Sequence, residues 1–317
     1  MRAITLLFFL FLFLIPKGHA QVEETIEPEY IRTIQFKGTS AQSRLPIIEL
    51  GQKLQLSFDD IIGNEADYFY TIAHFNFDWT PSDLSKGEYL DGFDDVRIET
   101  YENSFNTLQL YSNYKLSIPN RETRAIKKSG NYLLRIFNDD GEIVFSRKFM
   151  VLERVLSVEV EIKRSRIIKN IDQQQVVQFK INSPNLLLIN PKQNVKTLVL
   201  QNNNLKTAIT NLKPLYTIGS ELIYKYDQEA AFWGGNEFLF FDNKDLRSST
   251  NGVRYVELNE LYENFLFTNI DRSVRPYTYN PDINGSFQVR NLYASQNQNI
   301  EADYVLMHFN LQHYGSL

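Results

Sequence analysis

The chain has no cysteine, so disulfide cross-links, thiolate nucleophiles, thiolate-held metals and a lipid anchor on a cleavage-site cysteine are all excluded. Histidine is scarce at four residues, and His19 lies in a segment expected to be removed. There is no surplus of positive charge. The net charge is −5, and loss of Arg2 and Lys17 with the leader makes it two units more negative, which gives no support to binding of nucleic acid or an anionic membrane surface; no direct membrane insertion is expected. No Gly-x-Ser-x-Gly, His-Glu-x-x-His, Walker-type or Gly-x-Gly-x-x-Gly pattern occurs. Apart from the N-terminus, no run approaches the roughly 18 apolar residues that span a bilayer.

What is present begins with an export signal. Arg2 supplies a basic start, Ala3 to Pro16 is apolar, and Gly18-His19-Ala20 offers a small-x-small cleavage site. Residues 1–20 therefore read as a signal peptide and the mature chain as starting at Gln21. Residues 21–29, acidic and unpatterned, read as a flexible lead-in.

Short alternating segments then follow one another. Ile31 to Phe36, Leu54-Leu56-Phe58, the run after Glu65, VRIETY, TLQLYSNYKLSI, NYLLRIF and EIVFSRKFMV all carry strand periodicity. Asn138-Asp139-Asp140-Gly141 between the last two is a hairpin signal. With no useful helical period, residues 30–154 predict an antiparallel β-sandwich of immunoglobulin-like type, and Tyr132 falls where such domains carry a tyrosine at the start of strand F.

A second sandwich is predicted over 155–275, from VLSVEVEI, VVQFKI, VKTLVL, ELIYKY, EFLFF, VRYVEL and NFLFTN, with turns at Asn202-Asn203-Asn204, Trp233-Gly234-Gly235 and Asn251-Gly252. The fold class is thus all-β, with tandem sandwiches. Residues 276–317 are too short for another sandwich and read as the start of a third, truncated β-domain, with a turn at Asn284-Gly285-Ser286.

One phrase occurs twice, EADYFYTIAHFNFDW at 65–79 and EADYVLMHFNL at 301–311. The shift of two residues between the copies preserves strand phase, so the echo reads as two strands of similar design and not as a repeated site. His74 lies mid-strand and reads as a packing residue. His308 and His313, five apart, would face opposite ways on a straight strand, which disfavours a shared metal. Asp78, Asp83, Glu88, Asp91, Asp94 and Asp95 crowd one long connection without the spacing of an EF-hand loop. Asp59-Asp60 reads as a turn end, and Lys163-Arg164-Ser165-Arg166 as a solvated strand edge. No catalytic residue and no cofactor is assigned.

Aromatic residues are the unusual resource, at 23 Phe, 18 Tyr and 2 Trp. Most belong in sandwich cores. Those in long connections, where no alternation dictates burial, are the candidates for a partner-contact surface: Trp79, Tyr89 and Phe93 with the neighbouring Asp83, and Phe232 with Trp233.

PIIELGQKLQLSFDD, YTIAHFNFDWTPSDLSKGEYLDGF, YENSFNTLQLYSNYKLSIPN and WGGNEFLFFDNKDLRS occur in this order over about residues 31–275. Together they resemble the plug protein family of the Bacteroidetes type IX secretion system. Phe75 and Phe77 stand where that family often has a small residue or cysteine, which bears on local packing only. The resemblance implies a periplasmic, non-enzymatic protein of immunoglobulin-like domains. Its partner would be the outer-membrane translocon β-barrel, whose periplasmic mouth it closes when no cargo is engaged. The resemblance carries no catalytic residues, and the connection from Asp78 to Phe93 is the segment expected to enter the barrel. Two other classes stay open. A carbohydrate- or protein-binding module would work through Trp79 or Trp233, and a hydrolase would need His74 to meet a Ser or carboxylate across the fold.

Overall fold

The computed structural model describes residues 22–38, 45–234, 238–271, 283 and 285–312. Residues 1–20, read from the sequence as a signal peptide, lie outside these residues, as do Asn284 and His313.

The first unit contains β1 (Ile31–Gly38), β2 (Ile47–Glu49), β3 (Leu54–Asp60), β4 (Phe69–Phe75), the one-turn helix α1 (Lys86–Tyr89), β5 (Leu90–Gly92), β6 (Val96–Arg97), β7 (Thr100–Asn103), β8 (Ser112–Ile118), β9 (Thr123–Ile126), β10 (Gly130–Phe137) and β11 (Ile143–Leu152). One sheet has the order β1-β3-β8-β7 and the facing sheet β2-β11-β10-β4-β6. This is the strand order of an immunoglobulin-like sandwich. The period-two pattern explains the layering. Leu54, Leu56 and Phe58 of β3 stand in register with Ile118, Leu116 and Tyr114 of β8, and all six are buried. From the facing sheet, Tyr132, Leu134 and Ile136 of β10 close the core. Tyr132 donates its hydroxyl to Lys128 O at 2.7 Å, the back-bond expected of the strand-F tyrosine. The Asn138–Gly141 turn closes with Gly141 N donating to Asn138 O.

Residues 22–29, read as a flexible lead-in, lie along β11. Thr25 N donates to Ser146 Oγ at 2.7 Å, Ser146 N returns a bond to Thr25 O, and Arg147 pairs with Glu27 at 2.6 Å. That guanidinium holds the Glu27 carboxyl below its usual range. No local pattern announces this segment, because its partners lie about 120 residues further along the chain.

The second unit contains β12 (Ser157–Arg164), β13 (Gln174–Asn182), the short helix α2 (Pro191–Asn194), β14 (Leu198–Gln201), β15 (Asn204–Thr210), β16 (Tyr216–Ile218), β17 (Glu221–Tyr224) and β18 (Ala231–Trp233). Its main sheet runs β12-β13-β17-β16, with β18 also paired to β13. The opposing layer is the hairpin β14-β15, turned by Asn202 and Asn203 at φ 53° and 60°, a conformation asparagine tolerates well. Phe179, Ile181, Leu222 and Tyr224 form the centre of its smaller core. The EFLFF run expected as a strand is irregular over residues 238–241. A last sheet joins β19 (Val253–Leu258), β20 (Tyr262–Leu266) and β21 (Val305–His308), with β21 parallel to β20 and the one-turn helix α3 (Gln298–Glu301) just before it. No helix among the described residues is long and apolar enough to cross a membrane.

Candidate functional site

The connection between β4 and β6 is a folded excursion over one end of the first sandwich. It opens with a tight turn, Trp79 N donating to Asn76 O and Asn76 N to Thr80 O, which places Trp79 at φ 64°. Ser85 and Glu88 form a capping box that starts α1. β5 then pairs with β9, and Arg124 grips Asp91 with two bonds at 2.7 and 3.2 Å, holding that carboxyl below its usual range. Lys86 pairs with Asp94, whose Oδ2 also accepts Ile72 N at 2.6 Å. The acidic crowding seen in the sequence is thus largely resolved into separate local pairs.

The six candidate contact residues fall into different environments. Phe93 is 71% and Trp233 57% exposed, and Asp83 is exposed as well. Trp79 is half-buried beside Phe75, with Lys148 Nζ 4.5 Å above its ring. Tyr89 is buried, stacks near His74 and donates to Ile72 O, and Phe232 is buried on β18. Phe77, outside the six contact candidates, is exposed and carries Lys196 of the second unit over its ring. His74 packs against the rings of Tyr89 and Tyr132, and the serine it meets is only eight residues along its own connection, not across the fold. Its Nδ1 meets Ser82 Oγ at 2.8 Å, its Nε2 lies 3.3 Å from Ser129 O, and its ring packs on Tyr132.

The most elaborate polar arrangement lies elsewhere, on β3. Its last two residues, Asp59 and Asp60, are both buried and point to opposite faces of the sheet. On the inner face Tyr68 donates to Asp60 Oδ2 at 2.8 Å. On the outer face Tyr304 donates to Asp59 Oδ2 at 2.7 Å. These are the tyrosines of the two EADY copies. The likeness extends one step further, for Tyr114 donates to Ala66 O at 2.6 Å and Tyr111 to Ala302 O at 2.8 Å. The ring pairs Tyr68–Tyr114 and Tyr111–Tyr304 are both edge-on, at 4.9 and 5.3 Å. The two copies therefore clasp one sheet from its two sides, and the second copy fastens the C-terminal segment to the first sandwich. Phe105 N to Ile300 O, Leu108 N to Asp303 Oδ1 and Asn297 Nδ2 to Glu102 Oε2 complete the attachment.

Asp59 also accepts from Asn113 Nδ2, and Thr33 Oγ1 lies 2.6 Å from the Tyr304 hydroxyl. Thr33 sits in a β1 bulge at φ 53°, a strained setting for a β-branched residue. Burial pushes the Asp59 carboxyl above its usual pKa, outweighing the hydrogen bonds that pull it down. Burial and the Asp59 charge likewise raise the Tyr304 hydroxyl. In contrast, backbone N–H groups of Ser295, Asn297 and Gln296 hold the Glu301 carboxyl down to about 2.

A pH dependence follows for Asp59. Its raised folded-state pKa gives a contribution to stability that is complete below the ordinary carboxylate value and fades as pH rises through the folded value. Asp59→Asn is uncharged throughout. Its stability relative to the native chain is therefore expected to improve as pH rises from about 4 towards neutral. Denaturant unfolding of both proteins across that range measures it, and parallel curves would refute the assignment.

The clasp corrects the sequence reading of Asp59-Asp60 as a turn end, and of the echo as two similar strands and not a repeated site: both EADY copies make the same contacts, and the roles of Thr33, Tyr111, Asn113 and Tyr304 have no signal in the sequence pattern. The repeated EADY and the adjacent aspartates were visible, but their meeting needed the sheet between them.

The architecture defines a class, a multi-unit β protein led by an immunoglobulin-like sandwich. The family model described as "Type 9 secretion system plug protein 1st domain" matches residues 31–153. A crystal structure of a hypothetical protein from Parabacteroides merdae ATCC 43184 superposes with a TM-score of 0.87 at 30% identity, covering 92% of this chain and 74% of that one. No curated protein matches. The chain belongs to the type IX secretion system plug protein family.

Proposed function

We propose that the protein is a periplasmic plug, delivered by its signal peptide, which binds the periplasmic mouth of the outer-membrane translocon β-barrel and seals it when no cargo is engaged. The observation that carries this reading is the family match over the first sandwich, residues 31–153. The work is steric occlusion and reversible protein binding, with no catalytic step. A folded sandwich makes an effective stopper because threading it through a pore would cost its whole stability, of order 5–15 kcal/mol. The clasp supports the same reading, since it ties the C-terminal segment to the first sandwich by side-chain and backbone bonds.

The 76–95 excursion is the proposed docking element. Its exposed Phe77, Asp83 and Phe93 are presented on a connection braced by α1 and the β5-β9 pair. A braced loop loses little entropy on binding.

The test is capture of the tagged, full-length mature protein from detergent-solubilised envelopes, with mass spectrometry of the bound chains. A single very large outer-membrane barrel, free of cargo, is expected, and bilayers containing that barrel should conduct ions until the plug is added. Recovery of no barrel, or unchanged conductance, would overturn the reading.

A further inference from the structure

Strand β12 is the edge of the second unit's main sheet, and among the described residues it is paired on one side only, to β13. Val158, Val160 and Ile162 share the face of their β13 partners Ile181, Phe179 and Val177. Phe179 and Ile181 are buried beneath the hairpin, whose Val199 and Ile209 pack on that cluster. Val158, Val160 and Ile162, one strand further out, are 58%, 60% and 66% exposed. The opposite face of β12 carries Glu159, Glu161 and Lys163, with Glu159 paired to Lys180 and Glu161 to Lys163 at 3.2 and 2.9 Å.

An open edge beside an uncovered apolar stripe is a template for another strand. The order of charges along β12 says which. Its first half is acidic, Glu159 and Glu161, and its end is basic, Lys163 and Arg164. Turned antiparallel on itself, the strand sets its acidic half against the basic end of its own copy.

We propose that β12 pairs antiparallel with β12 of a second copy, joining the two main sheets into one. A two-fold axis normal to the sheet keeps both apolar stripes on the same side, so even-numbered residues face even-numbered ones. Centring the axis on Glu161 uses nearly the whole strand. It places Glu159 opposite Lys163 and Val160 opposite Ile162, each twice. One like-charge contact remains, Glu161 against Glu161, and Lys163 of each copy lies diagonal to it.

The natural absence of cysteine makes the test direct. In full-length mature protein, Glu161→Cys introduces one thiol per chain, and mild oxidation is expected to link two copies through it. Ser157→Cys is on the same strand but out of register with its own copy and is expected to stay unlinked. Sedimentation equilibrium should show a monomer–dimer equilibrium that Val160→Lys weakens by about two- to thirty-fold, by removing both Val–Ile contacts. Glu161→Gln should tighten it.

A native chain that is monomeric at every concentration overturns the proposal. So does a dimer indifferent to Val160→Lys, equal linking through position 157, or occupation of β12 by an extended segment of another envelope protein. None of these readouts involves the translocon, so the proposal stands or falls separately from the plug function.

Discussion

Phe58→Ala is expected to lower the unfolding free energy of the first sandwich by about 3–5 kcal/mol. The ring is fully buried and lies 5.2 Å from each of Tyr68, Tyr114 and Phe145, stacked on Tyr114 and edge-on to the other two. Deleting it removes the shared neighbour of three large side chains that come from β8, β11 and the lead into β4. Those chains cannot collapse inward together, because Tyr68 is held by Asp60 and Tyr114 by Ala66 O. A loss of that size is a large part of an ordinary domain's stability. The control is Phe93→Ala, the same chemical change at a side chain 71% exposed, expected to alter stability by no more than about 0.5 kcal/mol. Denaturant unfolding of the two variants measures the contrast. If Phe93 contacts the barrel as proposed, Phe93→Ala should weaken capture while leaving the fold intact, whereas Phe58→Ala should lose both.

Gly92→Ala is the second large effect, expected at about 2–5 kcal/mol from a single methyl group. Two separate causes add. Gly92 has φ +96°, where side chains are strained, and an added Cβ would stand 2.0 Å from Glu122 O and 3.0 Å from Arg124 N. Both neighbours are backbone, and Glu122 O already accepts Phe93 N at 2.9 Å, so neither can swing aside. The β5-β9 pair must part. Gly51→Ala separates the causes, since Gly51 has φ +88° with nothing within 4 Å of the added atom. It should show the backbone strain alone. Amide hydrogen exchange gives the location of the damage. Protection should fall first at Phe93 and across β5 and β9, while β3, β8 and β10 keep theirs. Equal losses for Gly51→Ala and Gly92→Ala would show that the Glu122 contact does not matter.

Much of the fold was legible, for a physical reason that holds strand by strand. In β3, β8, β10 and β11 one face meets the core and the period-two pattern records it directly. The pattern failed where burial is not set by alternation. The 76–95 connection has no period because its folding comes from a capping box, an Asp–Arg pair 33 positions apart and a short strand pairing with β9. For the same reason Tyr89, placed among the contact candidates, is a core side chain. The EFLFF run carries strand-forming residues, yet residues 238–241 are irregular, and nothing in the described contacts explains it.

The sequence by itself determined the all-β class, the positions of the main strands, the export signal as an expectation, and the likeness to the plug family. These are local properties: alternation, turn residues and residue blocks read along one chain. Only the tertiary structure decided what the repeated EADY does. Its two tyrosines reach adjacent aspartates on one strand from opposite faces of a sheet, with Asp59 meeting Tyr304 across 245 positions. A periodic pattern records which side of a strand is apolar. It carries no information about which distant segment will come to cover that side.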